Sequence, residues 1–451
     1  MSKKYNHTKT YEWVGYFYNI GNLEKRFTGR LSYTPDKGIT IKATLTTDIS
    51  SINYNSKSLI GHVEELGKVT LVDVSFNHTP NMKSPIISSD ITIYAKLLLI
   101  GCHVEESLKI KKCSFKLSSL IEFCSPYGTD YTPYKDSPIL SADMKDYSLN
   151  LAMTATASFA DNFIETHLIS SNKDFKKELS EKLNELKQKY KNLELGLKKE
   201  IDYIFSLKLK SNKDDIENYI TYINEVKSLF AFILMKYVNI IELKFHTEDL
   251  TIHVLTSLYI NDKSREAMIS NDNYPFNNIH IRFISDFQKT LEAWHSLKTD
   301  DLNLLHDVSY SRNSLSPNSM QHFLISLAGI EQLMAQKNGT VKNYCDLFLD
   351  EYATESLRKV LHDNLPTPKK DEKLGKLVTD MRNCIVHTNK TKSGGNIRYK
   401  PFLNQINIGN INEALYACII IAVSRQLNFN PIMQKKFEDN ISSKLYKFSK
   451  L

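Results

Sequence analysis

The sequence has few of the features that mark disulfide-rich, zinc-binding or membrane-spanning proteins. Its six cysteines are spread widely, with no C-x2-C pair and no histidine at zinc-finger spacing. If tyrosine is not counted, the longest apolar runs, residues 229–235 and 417–423, have seven residues each, whereas a membrane span needs about 20. The first residues are polar and lack the apolar core of a signal peptide. We therefore expect a cytoplasmic protein with no disulfide framework, no metal, no cofactor and no membrane contact.

Arginine is also scarce, because only nine of the 58 basic residues are arginines. The net charge of +7 permits an anionic partner without requiring one. With 41% hydrophobic and 24% charged residues, the composition is that of a folded protein. At about 100–200 residues per domain, 451 residues correspond to two or three domains.

The N-terminal third is rich in predicted strands. Residues 11–18, 38–45, 69–76 and 91–100 are β-branched and aromatic runs, separated by turn-forming segments such as residues 35–38. This pattern predicts an antiparallel sandwich or barrel-like domain over residues 1–165, with a sensor or regulatory role. Its aromatic side chains either pack the core, which is the commoner case, or line a ligand groove.

A mixed middle region is predicted over residues 166–310. Apolar residues recur there at alternating spacings of four and three, which predicts an amphipathic helix over residues 172–205. They are Leu179, Leu183, Leu186, Tyr190, Leu193 and Leu197. A second helix over residues 214–237 would fold back on the first through residues 211–213 as a helical hairpin. Strands are expected at residues 240–245 and 251–260, and a helix at residues 284–297.

The last third, residues 311–451, is predicted to be an all-α bundle. Ser316 and Pro317 have the chemistry of a helix start, and further helices are expected at residues 343–362, 370–387 and 410–427. Antiparallel strands followed by a helical bundle make the predicted fold class α+β.

One short motif in the bundle carries chemistry. Arg382 and His387 are separated by four residues, and Asn383 directly follows the arginine. The composition predicts about 0.8 chance matches to an Arg and a His at such spacings, but only about 0.02 once the asparagine is required. The motif also falls late in a predicted helix, so we treat these three residues as the candidate catalytic group.

The motif resembles that of the HEPN superfamily, whose ribonucleases carry R-x4-6-H late in a helical bundle. A β-rich N-terminal region with an aromatic-Gly-aromatic opening at residues 13–17 and a helix around Trp294 is similar to the ApeA-like group of bacterial anti-phage proteins. The resemblance implies a metal-independent endoribonuclease that acts by growth arrest, a homodimer joined through the HEPN domain, an RNA substrate (with tRNA among the candidates) and a phage-derived trigger. One departure is Asn389, where related toxins that are regulated by adenylylation carry tyrosine.

The residue types suit RNA cleavage by the RNA's own 2′-OH. His387 has a pKa near neutrality and can transfer a proton, and Arg382 can hold the charge that develops on the phosphate. Asn383 lies one helical turn before His387 and can orient the imidazole or contact RNA. Residues 358–400 hold eleven basic and four acidic side chains, so the local field attracts a polyanion. Lys390, Lys392, Arg398 and Lys400 are the predicted RNA-binding residues.

Less specific interpretations remain open. Arg382 could pair with Asp380 or Asp371, and His387 could simply favour a helix C-terminus. Glu331 could face the site or be an ordinary exposed carboxylate. The bundle could be a catalytically inert HEPN fold that binds RNA, a nucleotide or a protein, with a ligand-sensing β domain.

Overall fold

The computed structural model describes most of the chain, including the greater part of every predicted domain. The described residues are 5–45, 53, 55–81, 88–104, 108–118, 120–124, 138–159, 173–189, 196–210, 216–234, 238–257, 284, 286–297, 319–338, 343–386 and 398–448. All structural statements below concern these residues.

The N-terminal region is a closed barrel of six antiparallel strands. The strands are β1 (Tyr11–Asn19), β2 (Phe27–Thr34), β3 (Gly38–Leu45), β4 (Ser58–Val63), β5 (Gly67–Asn81) and β6 (Ser88–Ile100). They lie in the order β3-β2-β1-β4-β5-β6, and β3 also pairs with β6, which closes the barrel. The turn before β3 ends at Gly38, whose φ of 75° favours glycine. Of the two predicted β architectures, the barrel is confirmed.

Side chains fill the barrel. Inward positions alternate along each strand and include Trp13, Phe17 and Leu31, all of them buried. The strands approach so closely that a Cβ on Gly15 would lie 2.7 Å from the carbonyl oxygen of His62. The aromatic residues Trp13 and Phe17 of β1 therefore pack a core, as the commoner of the two sequence interpretations predicted, whereas Tyr16 and Tyr18 are only partly buried.

The sheet continues beyond the barrel through six more strands. They are β7 (Lys112–Leu117), β8 (Leu140–Asp143), β9 (Tyr147–Phe159), β10 (Gly196–Leu209), β11 (Ile240–His246) and β12 (Thr251–Thr256). Their order from the barrel is β6-β12-β11-β7-β10-β9-β8, and the C-terminal half of β6 pairs with β12. We call these six strands the second sheet. Because it contains β10, β11 and β12, the sheet crosses the boundary predicted at residues 165 and 166.

Four helices accompany the sheets: α1 (Leu120–Cys124), α2 (Lys173–Lys189), α3 (Ile216–Leu234) and α4 (Phe287–Ser296). The predicted helical hairpin is wrong. Its first helix ends at Lys189, and residues 196–209 form strand β10, which pairs with β9. Tyr203, Phe205 and Leu207 are buried at every second position, a period of two that the leucine spacing farther upstream obscured. Helix α4 with its buried Trp294 is confirmed.

The C-terminal region is helical. It contains α5 (Met320–Asn338), α6 (Tyr344–Tyr352), α7 (Glu355–Asn364), α8 (Leu374–Val386), α9 (Gln405–Ser424) and α10 (Pro431–Phe448). The single helix predicted over residues 343–362 is divided, because the Thr354 side chain caps a new helix by accepting from the Leu357 amide. Helix α9 is long and apolar enough to cross a membrane, yet most of it is buried among α5, α7 and α10 as the core helix of the bundle.

The helical region and the second sheet share one hydrophobic core. The Phe232 ring on α3 lies 5.4 Å from the Trp294 ring and 5.6 Å from the Phe437 ring on α10. Aromatic side chains from three helices therefore connect the sheet to the bundle, and the predicted middle region has no separate core among the described residues.

Candidate active site

Helix α8 carries the Arg-Asn segment of the motif at its C-terminal end. One face of the helix is buried through Leu377, Val378, Met381 and Cys384. At its other end Gly375 meets α6 so closely that a Cβ would lie 2.3 Å from the Asp346 amide nitrogen. This backbone contact sets the position of α8 against α6, and with it the height of Arg382 in the bundle.

Arg382 is half-exposed and loosely held. Its guanidinium lies 3.9 Å from the Glu331 carboxylate on α5, with the two side chains 38% and 52% exposed. In the described part of the chain this is its ion pair, and not a pair with Asp380 or Asp371. Glu331, the weaker sequence candidate, thus faces the motif. Asp380 instead accepts a hydrogen bond from the Tyr399 hydroxyl at 3.4 Å.

Two buried side chains at the start of α6 lie within the electrostatic reach of Arg382. Burial raises the pKa of Tyr344, and the positive charge of Arg382 opposes the rise. Burial likewise raises the pKa of Cys345 to about 11, so this thiol stays protonated at neutral pH. Tyr344 is not among the residues predicted from the sequence, because no spacing links it to Arg382; only the packing of α6 against α8 does.

Of the other residues in and after the motif, some are exposed, one is buried in the core, and some lie outside the described residues. Asn383 is exposed beside Arg382, whereas Cys384 is buried. Val386 ends α8 with about half of its side chain exposed. His387, Lys390 and Lys392 lie outside the described residues, so their predicted roles remain predictions.

Arg398 does not stand free to contact phosphate. Its guanidinium donates to the Glu372 carboxylate at 3.0 Å and to the Thr367 carbonyl oxygen at 2.5 Å. Together with the Lys369 backbone amide, this guanidinium lowers the pKa of Glu372 to about 2. The guanidinium of Arg398, which was predicted to contact RNA, is therefore already bound by two groups of the protein itself. Lys400, the other described member of the set, is exposed at the start of a short 3-10 turn (Lys400–Phe402).

No group of three or more histidine, cysteine, aspartate or glutamate side chains with metal-binding geometry occurs among the residues that the structure describes. The described polar groups of the motif and its ion pair are the guanidinium of Arg382, the amide of Asn383 and the carboxylate of Glu331.

The comparison with known families gives one match. Residues 12–294 match the ApeA N-terminal domain 1, which is more than half of the chain. The chain belongs to the ApeA family. No curated protein and no solved structure shows significant similarity to it. The match spans the barrel, the second sheet and α4, so it joins into one family domain the strands and helices that the sequence analysis divided at residue 165. Membership in the ApeA family is consistent with a protein of anti-phage defence.

Proposed function

We propose that this ApeA-family chain is a metal-independent endoribonuclease of the HEPN type, acting in anti-phage defence by growth arrest. Its substrate would be RNA, with tRNA among the candidates, and a phage-derived signal would act through the N-terminal region. His387 transfers protons to and from the reacting oxygens, Arg382 stabilises charge on the phosphate, and Asn383 orients the imidazole or contacts RNA.

The observation that carries the proposal is the contrast between Arg382 and the other described arginines of the bundle. Arg358 donates to the carbonyl oxygens of Ala353 and Leu349. Arg398 is held by Glu372 and Thr367, and Arg425 forms a bidentate pair with Glu438. Among the described residues, the ion pair of Arg382 is the 3.9 Å contact with the half-exposed Glu331. A guanidinium kept partly exposed, without a bidentate partner, is available for a phosphate.

The position of Arg382 near the end of α8 also fits the roles. His387 directly follows Val386, the last residue of the helix. On a continuous helix Arg382 and His387 would be about 140° apart, so one motif does not bring both groups to the same phosphate by helix geometry alone. A homodimer with a two-fold axis beside α8 would place two copies of each in one cleft. The functional unit we propose is therefore a homodimer.

Induced expression of matched variants tests the activity. Arg382→Ala and His387→Ala should each relieve growth arrest and lower RNA cleavage by about 10²–10⁴-fold, because each removes a transition-state role. Arg30→Ala is the matched control, since Arg30 is an exposed arginine that pairs with Glu12 on the barrel. Cleavage should continue in chelator and leave 2′,3′-cyclic phosphate ends. Wild-type cleavage by folded His387→Ala protein would refute the assignment and favour an inert, RNA- or ligand-binding bundle.

Mixing the two variants tests the dimer. If the site combines residues from both copies, Arg382→Ala and His387→Ala chains should regain partial activity when they are mixed. A protein that sediments as a monomer and still cleaves RNA at full rate would exclude the composite site while leaving the ribonuclease assignment intact.

A further inference from the structure

A second cationic surface lies on the polar face of the second sheet, away from α8. Its members are side chains of β7, β10, β11 and β12 that alternate with the buried residues of those strands. We call this set the basic face: Lys112, Lys208, Lys244, His246 and His253, with the hydroxyls of Ser114, Ser206 and Thr251 among them. It plays no part in the proposed RNA cleavage.

The strand register aligns these residues in two rows. In one row Lys112 is opposite His246, and His246 is opposite Thr251. In the next row Ser206 is opposite Ser114, Ser114 opposite Lys244, and Lys244 opposite His253. Lys208 follows Leu207, the partner of Cys113, and so extends the first row beside Lys112. Directly opposed residues share a face of an antiparallel sheet, so both rows present cations and hydroxyls together.

Carboxylates balance this arrangement only in part. Glu242 lies 2.5 Å from Lys244 and 3.4 Å from Lys116, and Asp202 lies 2.5 Å from Lys116. Lys116 and Lys244 thus neutralise those two acids, and because Lys244 is itself paired, the net positive charge of the lysines on the basic face comes from Lys112 and Lys208. Within the described part of the chain Lys112 and Lys208 have no carboxylate at ion-pair distance, and both are exposed. Like charges opposite one another destabilise a sheet unless an anion compensates them.

Of the two histidines, His246 has a partner at each ring nitrogen, whereas His253 has one ring nitrogen without a partner among the described residues. The Ser114 hydroxyl lies 2.7 Å from His246 Nε2, and the Thr251 hydroxyl lies 3.1 Å from His246 Nδ1. His253 Nδ1 is a buried atom that has no hydrogen-bond partner among the described residues. A buried polar atom without a partner costs free energy, which a ligand that hydrogen-bonds to it would recover.

Aromatic rings adjoin the same end of the surface. The Tyr5 ring meets the His253 ring edge-on, with centroids 5.4 Å apart. Tyr5 also contacts Tyr11 and Trp13, which stack on each other at 5.3 Å. A cationic, hydroxyl-lined surface that ends at a ring cluster combines the two chemistries that a nucleotide offers, phosphate at one end and a flat base at the other.

We propose that the basic face binds the phosphates of a nucleotide, with its base against Tyr5. Neighbouring strands are about 4.8 Å apart, so four strands present a row of about 14 Å, which suits a single di- or triphosphate nucleotide. Binding should strengthen as pH falls towards 6. Burial together with Lys112, Lys244 and His253 lowers the pKa of His246, and burial and Lys244 lower the pKa of His253 against the opposing effect of Glu242. A bound phosphate would raise both values, so binding takes up protons.

Calorimetric titration with a nucleoside triphosphate and with inorganic triphosphate tests the proposal on the full chain. Lys112→Gln should weaken nucleotide binding about tenfold, and Lys112→Gln combined with Lys208→Gln about a hundredfold, as expected when charge-assisted hydrogen bonds are lost. The matched control replaces Lys42 and Lys68, two exposed lysines on the barrel, by glutamine and should change the affinity less than about threefold. Tyr5→Leu should weaken the nucleotide and leave inorganic triphosphate unaffected.

Three outcomes would overturn the proposal. One is the absence of saturable nucleotide binding, and another is equal weakening by the control and the Lys112/Lys208 variant. The third is equal affinity for inorganic triphosphate and nucleotide with no effect of Tyr5→Leu, which would leave an adventitious anion only. Titration with an RNA oligomer, in the His387→Ala background, distinguishes RNA from a free nucleotide as the ligand. If RNA binds through Lys112 and Lys208 and a nucleotide does not bind, the surface is an RNA-binding surface.

Discussion

Replacing Glu331 by glutamine measures how firmly its carboxylate restrains Arg382. The groups are 3.9 Å apart, and both side chains are more than a third exposed. Two unit charges at this distance attract by about 1 kcal/mol in water. Because exposed pairs rarely retain more than that, the variant should lower the free energy of unfolding by less than about 1 kcal/mol. The same energy, released to a phosphate, would strengthen RNA binding by at most about fivefold.

Fluorescence anisotropy with a short labelled RNA measures this effect, in the His387→Ala background so that the RNA stays intact. The gain should be largest at about 50 mM salt and shrink at about 300 mM, where exposed charges are screened. Glu178→Gln is the matched control, because Glu178 is an exposed glutamate of α2 whose pair with Lys182 spans one helical turn. RNA binding equal to that of Glu178→Gln would show that Glu331 does not restrain Arg382. A loss of stability well above 1 kcal/mol would show that the pair is structural.

Three further predictions concern stability. Gly375→Ala should destabilise the bundle by more than about 2 kcal/mol in urea titration, because the added Cβ would lie 2.3 Å from the Asp346 amide nitrogen; an unchanged midpoint would contradict this contact. Burial lowers the pKa of His7 from 6.5 to about 4, so the unfolded chain binds its proton first. Stability should then fall by about 3 kcal/mol between pH 6.5 and 4, and His7→Gln should flatten that part of the profile. Arg398→Ala should lower the melting temperature above pH 4.5 without reducing RNA cleavage. Since Glu372 has a folded pKa of about 2, the difference from wild type should vanish as pH falls from 4.5 to 2, and a loss of cleavage at unchanged stability would restore Arg398 as an RNA contact.

Local patterns predicted the elements that a few neighbouring residues determine. The run over residues 38–45 is β3, the Trp294 segment is α4, and the motif helix begins at Leu374, within the predicted range. Alternating burial and helical periodicity are properties of a short window, so each is visible in one sequence. The prediction was wrong at β10, which was predicted to be helical. The helical spacing of leucines in α2 continues to Leu197 at the start of β10, but the buried residues of β10 recur at every second position.

The pairing of strands and the packing of helices depend on contacts between residues that are far apart in the sequence. No local pattern shows that β3 pairs with β6 to close the barrel, or that β11 and β12 extend the same sheet. The candidate site follows the same rule. Composition and spacing singled out Arg382 and Asn383, but only the packing of α5 against α8 brings Glu331 to 3.9 Å from Arg382, and only the fold engages Arg398 with Glu372. The sequence gives the identity of a charged side chain. Whether that side chain is available to bind a ligand depends on partners tens of residues away, because a charge is neutralised by the opposite charges that the tertiary structure places within a few ångströms of it.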